Sequence, residues 1–259
     1  MASKTPRYLL AAFAIAAIAL AGCSYRYYAD ALKPLGEAEQ GESKSVTDDG
    51  SVIYTKDRLE VRVRPMTDEE LNRQFAAATE RGRNPYTHGQ STVFRTNDTP
   101  RRFTVFRISV KNYEYPKIYL NPKQVFITTA NGRKYYALTF TQLNNYFRGF
   151  ALGGTGGASS GSTEVSGDRR GNEREMWLNR TDLLKRTMFP DEATFSGQEK
   201  DGYVVFEPLA ADVADVTVNI PGLVIRFDYK GEPIESIDVS ARFNRDIGKV
   251  YPDGSRQAM

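Results

Sequence analysis

From residue 51 onward apolar side chains recur at alternate positions, and a repeat of two is the repeat of a β-strand. In Arg58 to Arg64, Leu59, Val61 and Val63 face one way while Arg58, Glu60, Arg62 and Arg64 face the other. This predicts a half-buried strand with a charged outer face. Val216, Val218 and Ile220 alternate, Pro221-Gly222 predicts a turn, and Leu223, Ile225 and Phe227 follow. Lys230-Gly231-Glu232-Pro233 then turns the chain into Ile237, Val239, Ala241 and Phe243. Gln124 to Leu138 reads as a hairpin, with Asn131-Gly132 suited to the positive φ angles of a type I′ turn. Tyr203 to Glu207 adds a strand, and so does Arg101 to Lys111, whose apolar phase slips between Val105 and Phe106. That slip predicts a bulge or burial on both faces. About eight strands, without alternating crossover helices, predict a mainly β chain folded as an antiparallel β-sandwich over residues 51–247.

Helical signals interrupt this pattern. Thr67-Asp68-Glu69-Glu70 is a capping box, with Leu71, Phe75 and Ala78 marking one face of a short helix that ends near Gly82. Thr139 to Phe150 and Asn172 to Phe189 read as helical, Asn172 to Glu175 forming a second possible capping box. Between them Gly153 to Gly171 is a Gly/Ser loop. Residues 139–199 therefore form a helical insertion, long for a plain connection.

The amino terminus carries an address. Lys4 and Arg7 precede the apolar run Leu9 to Ala21. As a helix those 13 residues span about 20 Å, short of the ~30 Å hydrocarbon core, so the run reads as a signal peptide over residues 1–22. Leu20, Ala21, Gly22 and Cys23 resemble a bacterial lipobox, in which the thiol is acylated and the chain is cut ahead of the cysteine. Cys23 is the only cysteine, which leaves no internal disulfide, and the alternative is a chance cysteine at the end of a leader. The resemblance implies lipid attachment, including palmitate-type acyl chains, and a cell-envelope location. Ser24 after the cysteine favours the outer membrane over inner-membrane retention in a Gram-negative host, facing the periplasm or the exterior. Residues 23–50 lack apolar periodicity and read as the lipidated cysteine plus a flexible tether. Fully extended, residues 24–50 reach about 90 Å. The alternative is that part of this segment packs on the domain. Residues 248–259 read as a C-terminal tail.

Other residues resemble the telokin-like, immunoglobulin-type domains of bacterial secreted proteins and lipoproteins. Val110-Lys111-Asn112 ends a strand, Leu120, Pro122 and Phe126 follow, Gly132 and Tyr135 lie in the hairpin, and Gly202 to Glu207 opens the later half. The resemblance spans about residues 58–243 without the insertion. It implies an immunoglobulin-like sandwich acting as a binding or spacer module, and it supplies no catalytic residues.

Reaction chemistry finds little support. His88 is the sole imidazole, in a Pro/Gly-containing loop, and no G-x-S-x-G nucleophile elbow exists. The Gly153 loop lacks the G-K-[ST] ending of a phosphate loop. Asp48-Asp49 and Asp191-Glu192 are acidic pairs, without the alternating ligands of an EF-hand. The 35 basic and 32 acidic side chains give +3, and loss of Lys4 and Arg7 with the leader lowers it to +1. Such a near-neutral balance argues against nucleic acid as a partner. Tyr113, Tyr115 and Trp177 are candidate contacts for a partner. The expectation is a non-enzymatic interaction or assembly-accessory module without cofactor or metal, bound to the membrane through Cys23 and to another envelope protein. The rival is a small-ligand or glycan-binding lipoprotein that uses aromatics near the insertion, with Trp177 as platform.

Overall fold

The computed structural model describes residues 25–76, 84–86, 103–151 and 178–259, with backbone only for residues 146–151. Two five-stranded sheets form the body. The first runs β11 (Glu199–Phe206), β6 (Thr104–Asn112), β5 (Leu59–Met66), β4 (Val52–Lys56), β3 (Lys44–Val46). The second runs β2 (Lys33–Pro34), β13 (Pro233–Asn244), β12 (Asp215–Phe227), β8 (Phe126–Thr129), β9 (Lys134–Tyr136). Neighbours in both sheets are antiparallel. The chain is a mainly β, immunoglobulin-like antiparallel sandwich, as the alternation predicts.

The inward set is the predicted one. Val61, Val63, Ile108 and Val204 from the first sheet meet Ile127, Val218, Val239 and Phe243 from the second in one buried cluster. Phe106 joins the two layers, its ring 6.1 Å from Phe206 on its own sheet and 5.2 Å from Phe243 on the other. The phase slip in β6 is burial on both faces. Phe106 belongs to the inter-sheet core, whereas Val105 belongs to a second cluster on the outer side of the same sheet. The β6 register is unbroken against both neighbours, so no bulge is needed.

That second cluster is roofed by helices. Leu71 and Phe75 come from α2 (Asp68–Gln74) and its C-cap, Leu143 from α3 (Phe140–Ala151), and Leu183 and Leu184 from α4 (178–187). The Thr67 box closes as expected: Glu70 N–H donates to Thr67 Oγ1 at 3.2 Å, and Thr67 N–H donates to Glu70 Oε2 at 3.0 Å. Thr139 and Gln142 make the same reciprocal pair at the start of α3. Behind the helices, β10 (Thr194–Phe195) pairs with β7 (Lys117–Ile118). Gly202 lets the chain after α4 lie against β11, because a Cβ there would sit 2.4 Å from the Phe189 Cα. Ala78, Gly82, the 153–171 loop and the Asn172 capping box lie outside the described residues.

Four expectations are corrected. The segment from residue 25 to residue 50 is woven into the body. β1 (Arg26–Ala29) pairs with β14 (Ile247–Val250), β2 with β13, and β3 with β4. Buried Gln40, at the end of α1 (Glu37–Gln40), accepts from Arg242 N–H at 2.9 Å and donates to Arg242 C=O at 2.7 Å, so its amide stands in for a strand residue. Polar side chains here satisfy strand edges, which is why the segment lacks apolar periodicity. The 248–259 tail is also structured, for β15 (Arg256–Ala258) pairs with β14. Finally, Pro221-Gly222 makes a bulge within β12, with Gly222 at φ +60°, and no turn. The ladder of β8 on β12 ends at Asn219, so Pro221 removes no donor from it. In the β8–β9 hairpin Gly132 has φ +80° while Asn131 does not enter positive φ, and Gly132 N–H bonds Thr129 C=O at 2.9 Å. That is a type I turn closed by a glycine bulge, where the sequence suggested type I′.

Candidate functional site: a cleft beside the first strand

A hollow of about 1210 Å³ opens where the amino-terminal strand meets the helical layer. Its floor is the second cluster: Met66 at the end of β5, Phe103 and Val105 at the start of β6, Leu71 of α2, and Leu138 and Leu143 at α3. One wall is Tyr27 to Leu32, part of the segment that the sequence reads as a tether. The other is Glu207 to Ala211, the connection out of β11.

Arg245 holds that second wall in place. Its guanidinium donates to Val213 C=O at 2.8 Å and Ala210 C=O at 2.7 Å, and burial pulls its pKa down from the usual arginine value. The wall is also braced by Ala210 N–H donating to the Tyr135 hydroxyl at 3.3 Å. Arg245 is therefore occupied by backbone oxygens. Among the described residues the remaining charged groups of the lining are Asp30, Asp68, Glu69 and Glu207, with Glu69 and Glu207 exposed. The cleft is apolar below and acidic above.

Tyr86 sits in the floor, fully buried, with its ring 5.1 Å from that of Tyr203 and 6.2 Å from that of Phe75. Its hydroxyl bonds the Thr187 hydroxyl, and burial lifts the phenol above the ordinary tyrosine range. The approach to Tyr86 is fixed by buried Asn84, whose side-chain amide donates to Asp68 Oδ1 at 2.9 Å and Asn72 Oδ1 at 2.8 Å. Asn84 Oδ1 accepts from Tyr86 N–H at 2.8 Å. Neither residue was found by sequence reasoning. The available signal was Asn84-Pro85-Tyr86, an Asx-type brace on a helix, next to the His88 that drew the attention.

The sequence-derived candidates do not meet here. Tyr113 and Tyr115 lie just beyond the far end of β6, about 26 Å along the strand from Thr104. Tyr113 is 44% exposed and donates to Glu60 Oε2 at 3.2 Å, with Lys111 Nζ 4.8 Å from its ring centroid. Tyr115 is half-buried against the main core and donates to Asp57 Oδ2 at 3.3 Å, so it is a packing residue and no free contact. Burial, reinforced by Asp57, raises its pKa. Trp177, His88, Cys23 and the lipobox residues lie outside the described residues.

A smaller hollow on the outer face of the first sheet is lined by Glu60, Arg62, Arg64, Arg107, Lys111 and Glu199 among others. Within it Arg62 pairs with Glu60 at 3.5 Å and Arg64 with Asp49 at 3.8 Å, and Arg107 reaches Asp201 beside it at 2.6 Å. It is a solvated strand face. Among the described residues no three His, Cys, Asp or Glu side chains gather as metal ligands, and no helix is long and apolar enough to cross a membrane.

No family model matches the chain, and no curated protein does. Among solved structures it is similar to MPT63, a secreted protein from Mycobacterium tuberculosis, at 9% identity and a TM-score of 0.29, covering 70% of this chain and 93% of that one. It is also similar to a functionally unknown protein from Listeria monocytogenes EGD-e, at 14% identity and a TM-score of 0.33, covering 85% of this chain and 87% of that one. At these scores neither likeness bears on what the chain does.

Proposed function

We propose that this chain is a lipid-anchored bacterial envelope protein that works as a non-enzymatic interaction module, and that the cleft receives an apolar, positively charged segment of another envelope protein. The observation that carries the reading is the cleft itself, an apolar floor under exposed Glu69 and Glu207. A volume of about 1210 Å³ exceeds the ~300–1,000 Å³ of typical small-molecule pockets and suits a stretch of chain. Among the described residues its one cation, Arg245, is committed to carbonyl oxygens and leaves the acidic rim for the visitor. The anchor rests on the lipobox-like Leu20-Ala21-Gly22-Cys23, and the resemblance to telokin-like domains supports an exported binding module. Outer-membrane sorting follows from Ser24 if the host is Gram-negative.

The test is a photo-cross-linking side chain at Leu209, on the cleft wall, in intact cells, with a control at Tyr113. The expected result is one dominant adduct from Leu209 and none from Tyr113, lost when Glu69→Lys and Glu207→Lys are combined at unchanged membrane abundance. No adduct from Leu209 above background overturns the protein-partner reading and favours the small-ligand rival.

A further inference from the structure

We infer that the tyrosine face of the β1–β14–β15 sheet is the surface with which the folded body rests on the lipid bilayer. The inference rests on acylation of Cys23 and adds to it an orientation. Cys23 precedes Tyr25 by two residues, so their Cα atoms are at most about 7 Å apart. Because β1 begins at Arg26 and is paired along its length with β14, no slack remains between an acylated cysteine and the sandwich. The membrane must then meet whatever surrounds the first strand.

What surrounds it has interfacial chemistry. Tyr27 lies opposite Lys249, and Lys249 lies opposite Gln257, so the three side chains share one face of the sheet. Tyr25 joins them, its ring 5.3 Å from Tyr27 and 6.3 Å from Tyr251, with Lys249 Nζ 4.3 Å from the Tyr25 centroid. Tyr25 and Tyr27 are 40% and 53% exposed, and their hydroxyls are 3.3 Å apart. Phenol rings with an apolar body and a polar tip settle at the headgroup level, and neighbouring ammonium and guanidinium groups are drawn to anionic lipid. On the other face Arg256 stacks 5.0 Å from the Tyr28 centroid.

The nearby carboxylates are engaged elsewhere. Asp30 lies 3.9 Å from Arg256, Asp212 is held by Arg133 at 2.7 Å, and Asp253 accepts from the Ser255 hydroxyl at 2.7 Å in the turn between β14 and β15. Among the described residues no carboxylate pairs with Lys249, so the tyrosine face presents aromatic rings beside an ammonium, which fits a lipid surface.

The experiment uses the full chain, purified from membranes and reconstituted into phosphatidylethanolamine–phosphatidylglycerol vesicles that contain a headgroup nitroxide. A thiol fluorophore is placed at Gln257→Cys or at Tyr113→Cys, both exposed, while mass measurement of the amino-terminal peptide reports acylation. The expected result is an acylated chain whose probe at 257 loses most of its emission while the probe at 113 keeps it. An acylated chain with equal quenching at both positions overturns the membrane-facing assignment and leaves the anchor standing. An unacylated chain overturns both.

Discussion

Val105 and Phe106 are neighbours on one strand, yet they belong to two cores built on different principles. Phe106 lies in a slab closed by two long-paired sheets, where every wall is a hydrogen-bonded ladder. Val105 lies under three helices that pack on the sheet through side chains, with backbone bonds only at their flanks, from Leu138 N–H to Val205 C=O at 2.7 Å and from Phe189 N–H to Tyr203 C=O at 3.0 Å. A ladder transmits local damage along its strands, whereas a helical roof of short, separately capped pieces has little besides packing to keep it down. The difference teaches where stability and adaptability are divided: the cleft is cut into the edge of the second core, the one whose walls are least tied together.

Three changes would break or sharpen that contrast. Phe106→Ala should have the largest effect, a loss of about 3–5 kcal/mol, because it removes the ring that joins Phe206 to Phe243. Denaturant unfolding should show one transition at lower midpoint, and two separate transitions would show the sheets to be independent. Leu184→Ala, in α4, should cost about 2–5 kcal/mol and should act locally. Hydrogen exchange should quicken in α2 and at Leu138 to Leu143 while the β12–β13 amides stay protected. Uniform loss of protection would erase the distinction between the cores.

The smallest effect is expected at the surface clamp beside the first core. Asp191 accepts from Lys123 Nζ at 2.7 Å and from the Tyr119 hydroxyl at 2.6 Å, and these bonds hold its carboxyl below the ordinary aspartate value. A lowered folded pKa gives stability that is present above the ordinary value and lost as pH falls through the lowered one. Hydrogen bonding to Asp191 pushes the Tyr119 phenol up to about 12, so its contribution is full below the ordinary tyrosine value and fades as pH rises toward 12. Asp191→Asn should flatten the acid limb slightly and return the phenolate absorbance of Tyr119 toward the ordinary range. An unchanged titration would show that the clamp is not closed in solution.

Much of the sandwich was legible because its long strands keep strict alternation. Val216, Val218 and Ile220, like Val239, Ala241 and Phe243, are buried as their spacing implies. The phase slip at Val105 and Phe106 even marked the second core. The short strands were not legible. With two to four residues each, β1, β2, β3, β14 and β15 are too brief to show a period, and partners far away in sequence decide them. The cleft was illegible for a related reason. Its lining is gathered from Tyr27, Met66, Phe103, Leu143, Leu209 and Arg245, residues that share no motif and meet only once the fold is complete. Tyr115 shows what a loop tyrosine hides from the sequence: its ring packs partly on the core while its hydroxyl reaches Asp57.

The pairing of β1 with β14 sets the order in which the molecule can be finished. Tyr28 lies opposite Gly248, and that glycine leaves room for the tyrosine ring and for the Gln257 carbonyl. The first strand of the body thus waits for one of the last, across a loop of almost the entire chain. During synthesis the strand Arg26–Ala29 emerges long before its ladder partner Ile247–Val250. Closure of this sheet therefore depends on a contact of very long range, and a chain cut before Ile247 would leave β1 without its ladder partner.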